Sequence, residues 1–267
     1  MDIVLAFIIF LMGISIGSFL NVVADRVPLG KSIISPPSHC FHCGHKLESR
    51  DLIPLMSYLW LRGKCRYCST PIPVRSMLIE LITGLLFVLA FMKMGLGWSL
   101  IGSLIYISIF IILIIVDMEI GMLPHLIVYP AIAIVIIIAG INYLVGVQPD
   151  IGSAMLGLCL GAGLFLMLWG IPRLFKKSLI GFGDVGMAGL LGASAGFPLV
   201  VIALYLAILT GGVTVILLIV LKRRKLSDAI SFGLYLSLGA IGTIFWGKEI
   251  LNVATVLFAG LMGIIYI

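Results

Sequence analysis

Charged side chains are scarce in this chain of 267 residues: 17 are Lys or Arg and 11 are Asp or Glu, together 10% of the sequence. Soluble domains carry about 25%, so this chain cannot clothe a soluble enzyme. A disordered chain is excluded as well, because that state needs high charge and few apolar residues. Cysteine is also sparse, with five residues, four of them in one stretch; that excludes a secreted disulfide scaffold. There is no fixed-period repeat and no low-complexity tract. The first apolar run lacks a basic start and a small-x-small cleavage site, so it reads as a retained helix rather than a signal peptide. What is abundant is apolar: 62% of the residues are hydrophobic and another 31 are glycine. The composition is that of an all-α, polytopic integral membrane protein whose main partner is the lipid bilayer.

Apolar runs that reach about 18 residues lie at 3–24, 77–95, 99–116, 123–146, 151–171, 198–221, 229–246 and 250–267. A shorter run at 185–196 is only about 18 Å long as a helix, the length of a half-span or a tilted element. The sequence thus predicts eight or nine membrane segments. It divides into a first transmembrane helix over 1–24, a polar loop over 25–76 and a membrane core over 77–267. Gly-x-x-x-Gly at 13–17, 157–161 and 192–196 marks faces where helices approach closely.

The net charge of +6 has to be read loop by loop in a membrane protein, and it implies no nucleic-acid partner. Eight of the 17 basic residues fall in 25–76. With that loop in the cytoplasm, and 185–196 taken as a crossing, Arg173, Lys176, Lys177 and the cluster Lys222–Lys225 also lie inside; only Lys93 and Lys248 lie outside. The N-terminus is then outside.

Cys40-x-x-Cys43 and Cys65-x-x-Cys68, with 21 residues between the pairs, have the spacing of two zinc knuckles. Gly44 and Gly63 supply backbone freedom beside them. The loop holds few large apolar side chains, so a metal would supply the stability a core does not. The alternative, redox pairs or disulfides, suits a cytoplasmic loop less well. His39, His42 and His45 flank the first pair as surface groups or substitute ligands, and Cys159 reads as a small packing residue.

Few acids fall in or beside apolar runs: Glu80, Asp117, Glu119 and Asp184. A carboxylate inside a span costs roughly 2.5–3.5 kcal/mol, so each needs a reason. Asp117 closes one run and Asp184 opens another, and the topology puts both at the inner face. Two carboxylates sharing a site split their proton affinities, which is the basis of aspartic proteolysis. Gly181 and Gly183 before Asp184 permit a break from helix and a close backbone approach. Helix capping is the alternative role for both aspartates.

Taken together, Gly17-Ser-Phe-Leu-Asn-Val-Val followed by Arg26-Val-Pro28, the cysteine pairs with Asp51-Leu-Ile-Pro54 between them, Glu80-Leu-Ile-Thr-Gly84, Asp117-x-Glu119 with Leu123-Pro124, Gly181-Phe-Gly-Asp184 and Phe232-Gly233 resemble the type IV prepilin peptidases over nearly the full chain. The resemblance implies a membrane aspartic endopeptidase of the inner membrane, with Asp117 and Asp184 catalytic and prepilins or pseudopilins as substrates. It further implies N-methylation of the new terminus with S-adenosylmethionine, tied to the cysteine loop. Gly63 and Lys64 match the Gly-Lys before the second cysteine pair and are the candidates for cofactor contact. Two motifs depart from the family pattern: Val185-Gly186-Met187 replaces Val-Lys-Leu, and Phe232-Gly233-Leu234 replaces Phe-Gly-Pro. The competing reading is a proton-coupled transporter, with Glu80, Asp117 and Asp184 as its relay and the zinc loop as a regulatory cap.

Overall fold

The computed structural model describes residues 2–174, 181–221 and 232–265; the predicted inner clusters at Lys176–Lys177 and Lys222–Lys225 lie outside the described residues. Nine α-helices occur among the described residues. They are α1 (Asp2–Arg26), α2 (Met56–Trp60), α3 (Val74–Met94), α4 (Trp98–Ile120), α5 (His125–Val145), α6 (Ile151–Leu174), α7 (Phe182–Ala195), α8 (Leu199–Val220) and α9 (Gly233–Ile265). Seven of them, all but α2 and α7, are long and apolar enough to cross a membrane. Their outward faces carry large exposed apolar side chains, among them Phe7 and Ile8 on α1, Ile137 on α5 and Val213 and Leu217 on α8. Such faces suit lipid, where a helix satisfies its own backbone.

The chain forms two units, Met1–Ile115 and Val116–Ile267. In the first, α1 packs along α3, and Gly-x-x-x-Gly sets the distance. A Cβ on Gly13 would stand 2.7 Å from Gly84 Cα, and one on Gly17 would stand 2.9 Å from Glu80 Cα. Between these helices the loop carries α2 and two hairpin-like turns. Over 27–73 only Gly63 and Cys65 are buried, so the loop has no apolar core of its own. The last residues of α4, from Val116 on, belong to the second unit.

In the second unit α7 packs against α5, α6, α8 and α9. Nine of its 14 residues are buried, and a helix that is apolar all round belongs in such a position. It runs antiparallel to α6. Trp169 and Phe182 meet at one end, with ring centroids 5.3 Å apart. At the other end Phe197 N–H donates to the Ser153 carbonyl at 3.0 Å, and Ser153 Oγ donates to the Phe197 carbonyl at 2.8 Å. Between these ends Gly157 lies on Gly192 and Gly161 on Ala188, backbone against backbone. The predicted close approach at both Gly-x-x-x-Gly motifs is therefore met. With 14 residues, α7 is about 21 Å long, most of the roughly 30 Å hydrocarbon thickness.

The two late apolar runs expected at 229–246 and 250–267 share one helix over their described residues: α9 continues for 33 residues, Gly233–Ile265, through Lys248 and Glu249. Cys159 is exposed on α6 rather than packed in the interior.

Candidate active site

Asp117 lies one turn before the end of α4. Gly121, at φ +67°, ends that helix, and its N–H donates to the Asp117 carbonyl at 2.9 Å. The Asp117 residue is only 2% exposed, and its carboxylate accepts the Leu234 N–H at 2.7 Å. Asp184 sits in the first turn of α7, half-buried, and accepts the Gly181 N–H at 3.2 Å. The two carboxylates are near enough for a direct charge–charge interaction. Glu119, two residues beyond Asp117, is exposed, as a step of about 200° around a helix requires.

Leu123 ties the two acids together. A Cβ on Gly183 would lie 3.1 Å from the Leu123 carbonyl oxygen, and one on Gly233 would lie 2.8 Å from Leu123 Cδ1 and 2.9 Å from Asp117 Cγ. Gly183 is thus a close-packing residue inside α7, while Gly181 is the residue preceding the helix, at φ −74° and ψ 151°. Beyond them Phe182 packs edge-on to His125 at 5.8 Å and to Trp169, and Arg173 covers Trp169 at 3.9 Å. The sequence motifs contain Leu123 and Gly233 but give them no role, and they give no sign of this aromatic wall, because no spacing rule links residues on separate elements.

Both departures from the family pattern have structural consequences. At the position of the absent lysine, a Cβ on Gly186 would stand 3.2 Å from Val128 Cγ1, against a side chain that is 1% exposed. And the hydrogen bond to Asp117 comes from Leu234, a donor that a proline at that place does not have.

The four loop cysteines converge. Their sulfurs all lie within 4.8 Å of one another, with Cys40 and Cys68 at 3.7 Å. A zinc tetrahedron with bonds of about 2.3 Å has sulfur–sulfur edges of about 3.8 Å, so the donor set fits that ion. No histidine joins the cluster: His45 instead stacks on Tyr67 at 3.6 Å.

The two knuckles repeat each other's hydrogen bonds with an offset of 25 residues. Cys40 N–H bonds the His45 carbonyl as Cys65 N–H bonds that of Thr70; Gly44 N–H bonds Cys40 as Ser69 N–H bonds Cys65; Leu47 N–H bonds Ser38 as Ile72 N–H bonds Gly63. The counterpart of Gly44 is therefore Ser69, at φ +58°, rather than Gly63. The Thr70 hydroxyl and backbone N–H draw the Cys68 thiol down to about 6, close to a standing thiolate. At Cys43 the His45 N–H pulls downward, but desolvation and the neighbouring sulfurs outweigh it and push the thiol up to about 11.

Gly63 and Lys64 both belong to the second hairpin: the Gly63 carbonyl accepts the Ile72 N–H at 2.7 Å, and Lys64 pairs with Pro71. Asp51 braces the same hairpin. Burial alone would push its carboxyl up, yet Arg66 at 2.6 Å, the Glu48 N–H and the Tyr67 hydroxyl hold it below its usual range. Glu80 pins the loop to α3 by accepting the Leu55 N–H at 2.7 Å. Leu55 pays for this contact with a strained backbone at φ 60° and ψ −48°, the rare positive-φ γ-turn.

Fold and site define a multi-pass helical membrane protein with two neighbouring carboxylates in its second unit and a four-thiol metal-binding geometry in its first. Residues 11–94 match the Bacterial Peptidase A24 N-terminal domain, and residues 104–217 match the Type IV leader peptidase family. The Prepilin leader peptidase/N-methyltransferase of Aeromonas hydrophila is 32% identical over 91% of this chain and 91% of its own length. That of Pseudomonas aeruginosa is 30% identical over 92% of each, and that of Myxococcus xanthus is 35% identical over 82% of this chain and 64% of its own. No solved structure matches the chain. The chain belongs to the Type IV leader peptidase family.

Proposed function

We infer that the chain removes the leader peptide of type IV prepilins or pseudopilins at the inner membrane and N-methylates the terminus so exposed, with Asp117 and Asp184 as the catalytic pair. The observation that carries this reading is the pair itself: a buried carboxylate fixed by a backbone N–H, with a second, half-buried one close enough to feel its charge. Two such groups do not both ionise freely. The ionised member takes a proton from the attacking water while the protonated member donates to the carbonyl oxygen, and the proton then passes to the leaving amine. A prepilin held in the bilayer by its own apolar helix needs only its leader junction oriented at the pair. The transporter reading has no comparable support, since the relatives are named as peptidases and methyltransferases.

Cys40, Cys43, Cys65 and Cys68 would hold one zinc ion, which stabilises a loop lacking its own core. S-adenosylmethionine supplies the methyl group when bound. The basic residues of 25–76 favour a cytoplasmic loop and an external N-terminus. Counting α7 as a crossing gives eight segments and keeps both aspartates at the cytoplasmic face.

Incubation of the purified, detergent-solubilised protein with a prepilin tests this. Mass spectrometry should show loss of the leader, and addition of one methyl group when S-adenosylmethionine is present. A prepilin that stays intact would refute the reading.

A further inference from the structure

The polar loop turns its apolar side chains outward. Over 53–60 it carries Ile53, Met56, Leu59 and Trp60, all exposed, with Trp60 at 83%. In α2 the residues sort by face. Met56, Leu59 and Trp60 fall within about 100° of one another around the helix. Ser57 and Tyr58, on the other side, line a cavity of about 700 Å³ bounded by the loop and the ends of α1 and α3. Thus α2 is a wall with the cavity on one face and an apolar surface on the other.

The depth of this wall follows from its anchor. The Asp25–Arg75 ion pair, at 2.6 Å, closes the polar end of the α1–α3 pair. Glu80 is five residues further along α3, and Gly17, which packs on it, is eight residues back along α1. Both therefore lie about 8–12 Å inside that end. Glu80 accepts the Leu55 N–H at 2.7 Å, so the residue before α2 is fixed within one side-chain length of that depth. Five helical residues rise only about 7.5 Å. That keeps all of α2 in the layer of headgroups and first acyl carbons, where apolar faces bury about 5–10 Å.

The surface below α2 already faces lipid. Ser18, Val22 and Asp25 line the cavity from one face of α1. Phe7 and Leu11, three and two turns before Ser18 on that same face, are exposed. Beyond Trp60 come two exposed cations, Arg62 and Lys64, the residues that suit lipid phosphates beside an interfacial tryptophan.

We propose that the loop is re-entrant: residues 53–60 enter the leaflet on their own side, with Met56, Leu59 and Trp60 against acyl chains and Arg62 and Lys64 at the headgroup phosphates. The bilayer then supplies the apolar support that the loop lacks internally, and it backs the α2 wall of the cavity. That this leaflet is the cytoplasmic one rests on the topology inferred above; the insertion itself does not.

The test is tryptophan quenching on the full-length, zinc-loaded protein in phosphatidylcholine nanodiscs, with the Trp60→Phe spectrum subtracted to isolate one of the four tryptophans. Emission from Trp60 should be roughly twofold weaker when the acyl chains are brominated near the headgroup, and iodide in the water should leave it nearly unchanged. A tryptophan introduced by Lys46→Trp into the Trp60→Phe protein, at an exposed site on the first knuckle, should show the reverse. Zinc content and melting temperature confirm that each variant is folded. Emission from Trp60 that iodide quenches and brominated lipid does not would overturn the proposal. So would emission that neither quenches, which would give the face to a second copy of the chain. Iodide quenching that disappears only when prepilin is added would also overturn it, and would give the face to the substrate. A loop found outside by reporter fusion would move the segment to the other leaflet and leave the quenching result as stated, so the two failures are distinguishable.

Discussion

At the scale of single residues, Asp117 is buried and held on two sides. Its carboxylate is held by the Leu234 N–H, and Gly233 leaves it space that no other residue would leave, since a Cβ there would stand 2.9 Å from Asp117 Cγ. Gly233→Ala should displace the carboxylate and reduce prepilin cleavage roughly a hundredfold, the usual effect of an ångström-scale misplacement. The zinc content of the first unit should not change. Glu119→Gln should cleave within a few fold of wild type, because Glu119 is exposed while Asp117 is buried. Both acids are legible in the sequence as costly carboxylates at the ends of apolar runs. The Leu234 donor is not, because a backbone N–H carries no residue signature and lies 117 residues from its acceptor.

At the scale of elements, the glycine contacts decide how closely helices pack. Gly192→Ala would push a methyl into the Gly157 backbone, and forcing α6 and α7 apart should cost about 1–3 kcal/mol, read as a lower melting temperature in detergent. Gly140→Ala on α5 meets nothing within 4 Å and should melt at or above wild type. In the loop, Ser69 adopts the left-handed conformation that Gly44 adopts in the other knuckle. Ser69→Gly should relieve about 1 kcal/mol and slow the loss of zinc to a chelator. The spacing of the cysteines is enough to single out the four whose sulfurs converge. The 25-residue repeat of the knuckles stays hidden in the sequence, because it lives in hydrogen bonds and only the cysteines are identical at the matched positions. Likewise α9 reads in the sequence as two runs because charges at Lys248 and Glu249 interrupt the apolar pattern. Charge does not break a helix, however, and neither a proline nor a left-handed glycine occurs there.

At the scale of the whole molecule, hydropathy alone shows an all-helical membrane protein, because lipid permits few other solutions. Whether α7 crosses is beyond it: 14 residues are ambiguous by length, and only the pairing with α6 from end to end shows how far α7 reaches. Reporter fusions should place the 25–76 loop in the cytoplasm and residues 95–97 outside; a loop found outside would reverse the side assigned to both aspartates. Topology puts Asp117 and Asp184, 67 positions apart, at one face, but their proximity is invisible in the sequence, since it depends on how Gly183 and Gly233 pack around Leu123. The central claim is that these two carboxylates act as one unit, and the decisive measurement is prepilin cleavage by purified Asp117→Asn and Asp184→Asn in detergent. Neither variant should remove the leader, the double variant should be no worse than either single one, and all three should stay folded and zinc-loaded. Near wild-type cleavage by either single variant would contradict the account.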